Sequence, residues 1–210
     1  MATPTTRCFG DGDPLYEAYH DNEWGLPVRG ENELFERVSL EAFQSGLSWI
    51  TVLRKRPAFR AAFAGFDPRV VAVLGDDDVD RLLADAGIVR NRAKITATIA
   101  NAQAVVGLWD QGRTLSELIW THAPAADPAS GSVRATGRPA TWTDVPTQTD
   151  DSRALARDLK AAGFRFVGPT TAYATMQACG LVDDHLATCP VVLTRPTCSR
   201  TRSRPHPARG

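Results

Sequence analysis

The stretch Leu82-Leu-Ala-Asp-Ala-Gly87-Ile-Val-Arg90-Asn-Arg92-Ala-Lys94-Ile95 predicts two helices joined by a short turn at a glycine. We expect Gly87 to adopt the left-handed backbone conformation that a tight connection between helices needs. The amides after this glycine would then point outward at the start of the second helix, where backbone N–H groups bind anions.

Basic side chains in the same stretch favour a nucleic-acid backbone as that anion, since Arg90, Arg92 and Lys94 follow the turn closely. We therefore expect a helix-hairpin-helix that grips DNA without reading its sequence. The expected backbone contacts are Gly87, Val89, Arg90 and Lys94. A generic helical hairpin with a solvated basic face fits this segment equally well.

Outside the hairpin, apolar residues recur at helical spacing through most of the chain, so the predicted fold class is all-α. Asp13-Pro14 and Asp67-Pro68 each combine an N-cap with a proline at the first helical position, which is typical of a helix start. Apolar stripes mark three further helices: Leu34, Val38, Ala42 and Ser45; Ile95, Ile99, Ala102 and Val106; and Leu155, Leu159 and Ala162.

The predicted body, residues 6–190, is one helical domain with two lobes around a pocket. A Pro/Ala/Thr/Ser/Gly-rich surface loop is expected between His122 and Asp150, and a disordered Arg-rich tail over 191–210. Five of the 24 Lys and Arg residues lie in 193–210, so 19 basic residues face 24 acidic ones in the body, a net charge of −5. Any DNA contact must therefore come from a local patch or from backbone amides.

Hydropathy predicts neither a membrane span nor a signal peptide. We expect a cytoplasmic protein, in which cysteines bind metal or pack in the core rather than form disulfides. Cys8, His20, His185 and Cys189 form a Cys2His2 set of the kind that holds structural zinc. His185 and Cys189 are four residues apart, which predicts one helical face. Alternatively, both cysteines are small packing residues and both histidines are exposed.

Glu41 falls on the apolar stripe of the helix that begins near Glu31, whereas Glu31, Glu33 and Glu36 are expected to be solvated. A carboxylate on an apolar face must be paired, protonated or used. One interpretation pairs Glu41 with an arginine or a backbone amide.

The other interpretation is a base pocket, because aromatic residues are dense near this carboxylate. Rings that stack a planar base, with one carboxylate for its exocyclic amine, are the groups that such a pocket needs. Candidates are Tyr16, Tyr19, Trp24, Gln44 and Trp49.

Several irregular strings between Arg7 and Cys189 resemble, in collinear order, the family of DNA-3-methyladenine glycosylase I. They are Asp13-Pro-Leu-Tyr16-Glu-Ala-Tyr19-His20-Asp-Asn-Glu-Trp24-Gly25, Leu40-Glu41, Gln44-Ser-Gly46-Leu-Ser-Trp49, Gly87-Ile88, Lys160-Ala-Ala-Gly163-Phe-Arg-Phe-Val-Gly168 and Met176-Gln-Ala-Cys-Gly180-Leu-Val-Asp-Asp-His185.

The resemblance implies a helix-hairpin-helix glycosylase fold and a structural Zn²⁺ held by Cys8, His20, His185 and Cys189. It implies that Glu41 contacts the flipped base as the catalytic residue, and that Tyr16, Tyr19 and Trp49 line the pocket with Trp24 in support. The implied activity is hydrolysis of the N-glycosidic bond of 3-methyladenine in double-stranded DNA, by a monomer.

Two departures from the family pattern stand out. Cys8-Phe9-Gly10 replaces Cys-Gly-Trp with a spacer one residue shorter, and Asp183-Asp184-His185 replaces Asn-Asp-His, which adds a charge near the expected metal or pocket. Two other functions fit the residues: a non-catalytic, zinc-stapled module that recognises damaged DNA, and a glycosylase of the same fold that acts on another lesion.

Overall fold

The computed structural model describes residues 7–125 and 137–191, which contain helices and no β-strand. The prediction of an all-α fold is therefore confirmed. The α-helices are α1 Pro14–Asn22, α2 Glu31–Gln44, α3 Trp49–Ala62, α4 Pro68–Val71, α5 Asp76–Ala84, α6 Arg92–Asp110, α7 Leu115–Trp120, α8 Asp150–Ala161 and α9 Pro169–Ala178. The predicted tail falls, apart from residue 191, outside the described residues.

The two Asp-Pro signals begin helices as predicted. The Asp13 carboxylate accepts hydrogen bonds from the amides of Leu15 and Tyr16, and Asp67 caps α4 through the amide of Arg69. However, α4 ends after four residues, and Val73 beyond it is 80% exposed. A correct start signal therefore says little about how far a helix continues.

Helix α2 is the central element of the fold, because it packs against α3, α6, α7 and α9. Every residue from Leu34 to Phe43 is buried. The predicted apolar stripe is thus only part of a helix enclosed on all sides. The prediction that Ser45 shares that stripe is wrong, since Ser45 lies just past the helix end and is exposed.

Enclosure of α2 also changes the environment of its acidic residues. Glu36, expected in solvent, is buried and accepts hydrogen bonds from Arg56 and Arg60 of α3. Glu31 accepts hydrogen bonds from the Trp109 indole and from two amides at the start of α7. Because a buried carboxylate is costly unless it is paired, these contacts explain how an acidic helix lies at the centre.

Helices α5 and α6 flank the predicted turn and contact each other, but the reason for glycine at position 87 differs from the expectation. Gly87 does not have a positive φ. A Cβ at this position would instead lie 2.9 Å from the Cβ of Ala58 in α3. Close packing of the turn against α3 is therefore what requires glycine here. Lys55 of α3 also binds the turn, since its ammonium donates to the carbonyls of Ala86 and Gly87.

Lys94 also differs from the expectation of a basic surface. Its side chain is buried, and its ammonium donates to the carbonyls of Phe43 (2.9 Å) and Ser45 (2.6 Å) at the end of α2. Lys94 thus supplies donors to carbonyls that have no partner within α2. The start of α6 is fixed to the end of the central helix.

None of the helices in the described ranges has both the length and the apolar character needed to cross a bilayer.

Candidate active site

A cavity of about 280 Å³ opens beside α2 and is bordered by α1, α9 and the start of α3. Aromatic side chains make up most of its wall: Phe9, Tyr16, Tyr19, Trp24, Trp49 and Trp142. Its polar side chains are Glu41, Gln44 and Gln177. Apolar walls with a few placed polar groups are typical of a site for a small planar ligand.

The rings contact one another and form a continuous wall. The Tyr19 and Trp49 centroids are 5.2 Å apart, and Phe9 lies 4.8 Å from Tyr16 and 5.1 Å from Trp24. These separations are those of packed aromatic pairs. The structure therefore brings together all the aromatic residues that the sequence predicted for a pocket.

Glu41 is 7% exposed and lines this cavity. Its carboxylate makes no hydrogen bond or ion pair with any residue in 7–125 or 137–191. Burial raises the pKa of Glu41 to about 8, and the positive charge of Arg37, one turn earlier on α2, opposes the rise. The interpretation that pairs Glu41 with an arginine or a backbone amide is not supported by these contacts.

Trp49 presents a complementary group. Its indole N–H is buried and has no hydrogen-bond partner among the described residues. A polar group buried without a partner costs free energy. The Glu41 carboxylate and this N–H offer a ligand an acceptor and a donor in the same cavity.

Arg37 lies behind the pocket wall. Its guanidinium carbon is 5.6 Å from the centroid of the Tyr19 ring, and one of its nitrogens donates to Glu23 at 2.7 Å. Glu23 also accepts from Arg56. Sequence reasoning did not find this buried charge network, since an arginine between apolar residues of a helix has no distinctive spacing.

A cysteine–histidine group lies next to the pocket. Ligand atoms of Cys8, His20 and Cys189 lie within 4.8 Å of one another, and all three residues are buried. His185 adjoins them, with its ring centroid 5.1 Å from that of His20. The Nε2 atom of His185 is buried and has no hydrogen-bond partner in the described part of the chain.

The second ring nitrogen of each histidine faces a carboxylate. Nδ1 of His20 is 2.8 Å from Asp21, and Nδ1 of His185 is 2.9 Å from Asp183. Metal-binding histidines have this arrangement, because the carboxylate fixes the ring so that Nε2 faces the cation. The donor set and the unpartnered Nε2 therefore fit a closed site for a metal cation.

The local structure corrects two expectations about this group. Residues 186–189 form a turn, with the Cys189 amide donating to the Leu186 carbonyl, and His185 precedes it in non-helical backbone, so the prediction of one helical face is wrong. The charge added by Asp183 is balanced by Arg138 at 3.0 Å. Burial raises the pKa of the Cys8 thiol to about 12, so the charge of a bound cation is needed to favour its thiolate.

Two aromatic residues of the pocket, Phe9 and Trp142, are not among the candidates that the sequence predicts. Phe9 lies in the N-terminal string that departs from the family pattern, and Trp142 lies in the predicted surface loop between His122 and Asp150. No periodic pattern marks either one, because both reach the pocket through non-regular backbone. The hydrogen bond from Trp142 to the Cys8 carbonyl and the contact of the Phe9 and Trp142 rings bring them together.

Fold and pocket define a helical protein with a cavity that is walled by aromatic rings and contains one buried carboxylate. A family model described as methyladenine glycosylase matches residues 9–192. The chain belongs to the methyladenine glycosylase family.

Relatives and solved structures agree with this assignment. The chain is 47% identical to DNA-3-methyladenine glycosylase 1 of Escherichia coli strain K12, over 84% of this chain and 91% of that protein. It is 43% identical to DNA-3-methyladenine glycosylase of Haemophilus influenzae, over 89% and 97%. A tyrosine-to-phenylalanine variant of 3-methyladenine DNA glycosylase I, crystallised with 3-methyladenine, matches with a TM-score of 0.78 and 34% identity over 88% of this chain and 95% of that chain.

Proposed function

We propose that this chain is a monomeric, cytoplasmic DNA glycosylase that removes 3-methyladenine from alkylated double-stranded DNA. The observation that carries the proposal is the buried carboxylate of Glu41 inside the ring-lined cavity, which has no partner among the described residues. Relatives of this chain are named for this activity, and one similar solved structure is a complex with 3-methyladenine.

Methylation at N3 leaves the adenine of DNA positively charged, so the base is a good leaving group. In the reaction the bond between the base nitrogen and the sugar carbon breaks, and its electron pair neutralises the base. Water adds to the sugar carbon and loses a proton, which leaves an abasic site. The protein needs mainly to extract the base and hold it outside the DNA duplex.

Glu41 is the catalytic residue of this proposal, in the sense that it contacts the extruded base. Its carboxylate can accept a hydrogen bond from the exocyclic amine and favours a cationic ring over a neutral one. Tyr16, Tyr19 and Trp49 supply stacking surface. Because burial keeps the pKa of Glu41 near 8, a cationic ligand would favour its ionised form.

The hairpin between α5 and α6 is the proposed contact with the DNA backbone. Arg90 is exposed and forms no ion pair within the described ranges, and the amides of Val89 and Arg90 donate no hydrogen bond there. The Gly87 amide already donates to Asp85, and the Lys94 ammonium is bound to α2, so neither of these two groups is free to hold a phosphate. Of the four predicted contacts, Val89 and Arg90 remain in the proposal as direct ones, while Gly87 and Lys94 shape the turn.

We propose Zn²⁺ as the cation of the cysteine–histidine group, with Cys8, His20, His185 and Cys189 as ligands. Bound there, the ion supplies no reaction chemistry. It ties the N-terminal segment to the turn that follows α9, and its binding free energy would add to folding free energy.

Chromatography of the bases released from methylated DNA tests the proposed function. We expect free 3-methyladenine from the wild-type protein and little from Glu41→Gln. Glu33→Gln, an exposed carboxylate on the same helix, is the matched control and should retain full release.

The outcomes separate the alternatives. Binding of methylated DNA without release of any base would favour a non-catalytic damage-recognition module. Release of a different base, with no competition by free 3-methyladenine, would favour a glycosylase for another lesion.

A further inference from the structure

Trp142 differs from the other tryptophans of the cavity in its exposure. Trp24 and Trp49 are each 8% exposed, whereas Trp142 is 44% exposed. All three line the same cavity. Trp142 therefore stands at the solvent side of the pocket, with a large apolar surface that nothing in the described part of the chain covers completely.

The position of this ring is fixed by hydrogen bonds. Its indole N–H donates to the Cys8 carbonyl at 2.9 Å. The short turn Trp142–Asp144 is closed by the Asp144 carboxylate, which accepts from the Thr141 amide at 2.9 Å. A long side chain without such ties would lose conformational entropy on binding a ligand. Because Trp142 is already held in place, ligand binding costs it little further side-chain entropy.

Neighbouring rings support one side of the indole. The centroid of Trp142 lies 6.2 Å from that of Phe9 and 6.3 Å from that of Trp24. The supported indole extends the aromatic wall from the cavity floor, at Tyr19 and Trp49, to its mouth.

We propose that Trp142 is a further base-binding residue, which covers the extruded base at the mouth of the pocket while the Cys8 carbonyl holds its indole. The inference rests on the proposed function. The base is a cation while it is attached to the sugar, and indole is the side chain that attracts a cation over its face most strongly. Stacking would also remove the exposed indole surface from water.

Two variants and a matched control test this role. Trp142→Ala removes the ring, and Trp142→Phe keeps a ring but loses the bond to Cys8. Trp120→Ala is the control, because the Trp120 indole makes the same type of bond, to the Val28 carbonyl at 2.8 Å, without lining the cavity. Calorimetry with free 3-methyladenine gives the dissociation constant, and base release from methylated DNA gives KM and kcat.

For Trp142→Ala we expect a dissociation constant for 3-methyladenine that is about 5- to 150-fold higher, the range that stacking of one base implies. KM should rise more than kcat falls. Trp142→Phe should stay within about threefold of wild type, since a phenyl ring keeps most of the stacking. The melting temperature of each variant shows that it is folded.

Two results would overturn the inference. One is an unchanged dissociation constant in folded Trp142→Ala. The other is weaker binding of DNA by Trp142→Ala with unchanged affinity for the free base, which would assign Trp142 to the DNA strand. Failure of the proposed function is distinct, since the wild-type protein would then release no 3-methyladenine.

Discussion

The ring of Trp24 lies edge-on to the imidazole of His185, with the two centroids 4.6 Å apart. Trp24 also lines the ring-walled cavity. Cys8, which belongs to the same cysteine–histidine group as His185, accepts the hydrogen bond of Trp142 through its carbonyl, and its sulfur lies near His20 and Cys189. The cysteine–histidine group and the cavity therefore share a wall, and a disturbance of one reaches the other directly.

We predict that His185→Ala loses bound metal and much of its stability. Elemental analysis of freshly purified wild-type protein should find about one zinc per chain. The variant should lose more than about 3 kcal/mol of unfolding free energy, because metal binding contributes to folding. Urea unfolding measures the loss, and tryptophan fluorescence should report the altered cavity wall.

His122→Ala is the control for this prediction. His122 bonds to the exposed carboxylate of Asp158 at 2.9 Å, so its removal should cost less than about 1 kcal/mol. Wild-type protein that is folded, stable and free of metal would contradict the assignment of the group.

Glu41→Gln should change how stability depends on pH. The pKa of Glu41 is about 8 in the folded protein and near 4.5 when the chain is unfolded. The folded state therefore binds this proton more tightly, and its stabilising effect is present below pH 4.5 and is lost as pH rises to about 8. The loss is at most about 5 kcal/mol, since one pKa unit corresponds to about 1.4 kcal/mol.

Chemical denaturation from pH 5 to pH 9 checks this expectation. Glu41→Gln should gain stability relative to wild type as pH rises, although it releases little base. Glu33→Gln should follow the wild-type profile. Parallel profiles for wild type and Glu41→Gln would show that the carboxylate is ionised and solvated in the folded protein.

Local signals predicted much of this fold, and long-range packing accounts for the rest. Asp13 and Asp67 cap helices as their spacing indicates, and Glu41 was found because a carboxylate interrupts an apolar stripe. Glu36 shows the limit of that reasoning. Its helical position predicts a solvated side chain, but Glu36 is buried because α3 supplies two arginines that no local pattern reveals.

Long side chains and non-regular segments were the least predictable parts of the site. The sequence neighbours of Lys94 predict a surface cation. A long lysine side chain can instead direct its ammonium to buried carbonyls, as Lys94 does with Phe43 and Ser45. Trp142 lies in a stretch of turn-forming residues, so its place in the cavity depends on contact with Cys8, 134 residues away.

Lys94→Met should destabilise the protein without changing the base pocket itself. The variant keeps the apolar stem but leaves the carbonyls of Phe43 and Ser45 without their donor. We expect a loss of about 1–3 kcal/mol, the cost of unsatisfied buried polar groups. Urea midpoints measure it. Arg92→Gln removes an exposed pair with Asp80 and should cost less than about 1 kcal/mol. Equal losses of stability in Lys94→Met and Arg92→Gln would contradict a stabilising role for the hydrogen bonds from Lys94 to the end of α2.

Arg90→Ala should weaken DNA binding independently of sequence and of damage. A side chain that neutralises one phosphate releases about one counterion, so its loss should lower the slope of log affinity against log salt by about one. Arg113→Ala is the control, because Arg113 is exposed beyond the far end of α6, about 28 Å along the helix axis from Arg92. Fluorescence anisotropy at several salt concentrations gives both slopes.

The same titration with undamaged DNA separates backbone contact from base contact. Because the hairpin is expected to touch only phosphates, Arg90→Ala should lose the same factor of affinity on methylated and unmethylated duplexes. Glu41→Gln should lose affinity only on methylated DNA. If Arg90→Ala leaves the salt slope unchanged, the hairpin is a structural turn, and the DNA backbone must be held by another surface of the helical body.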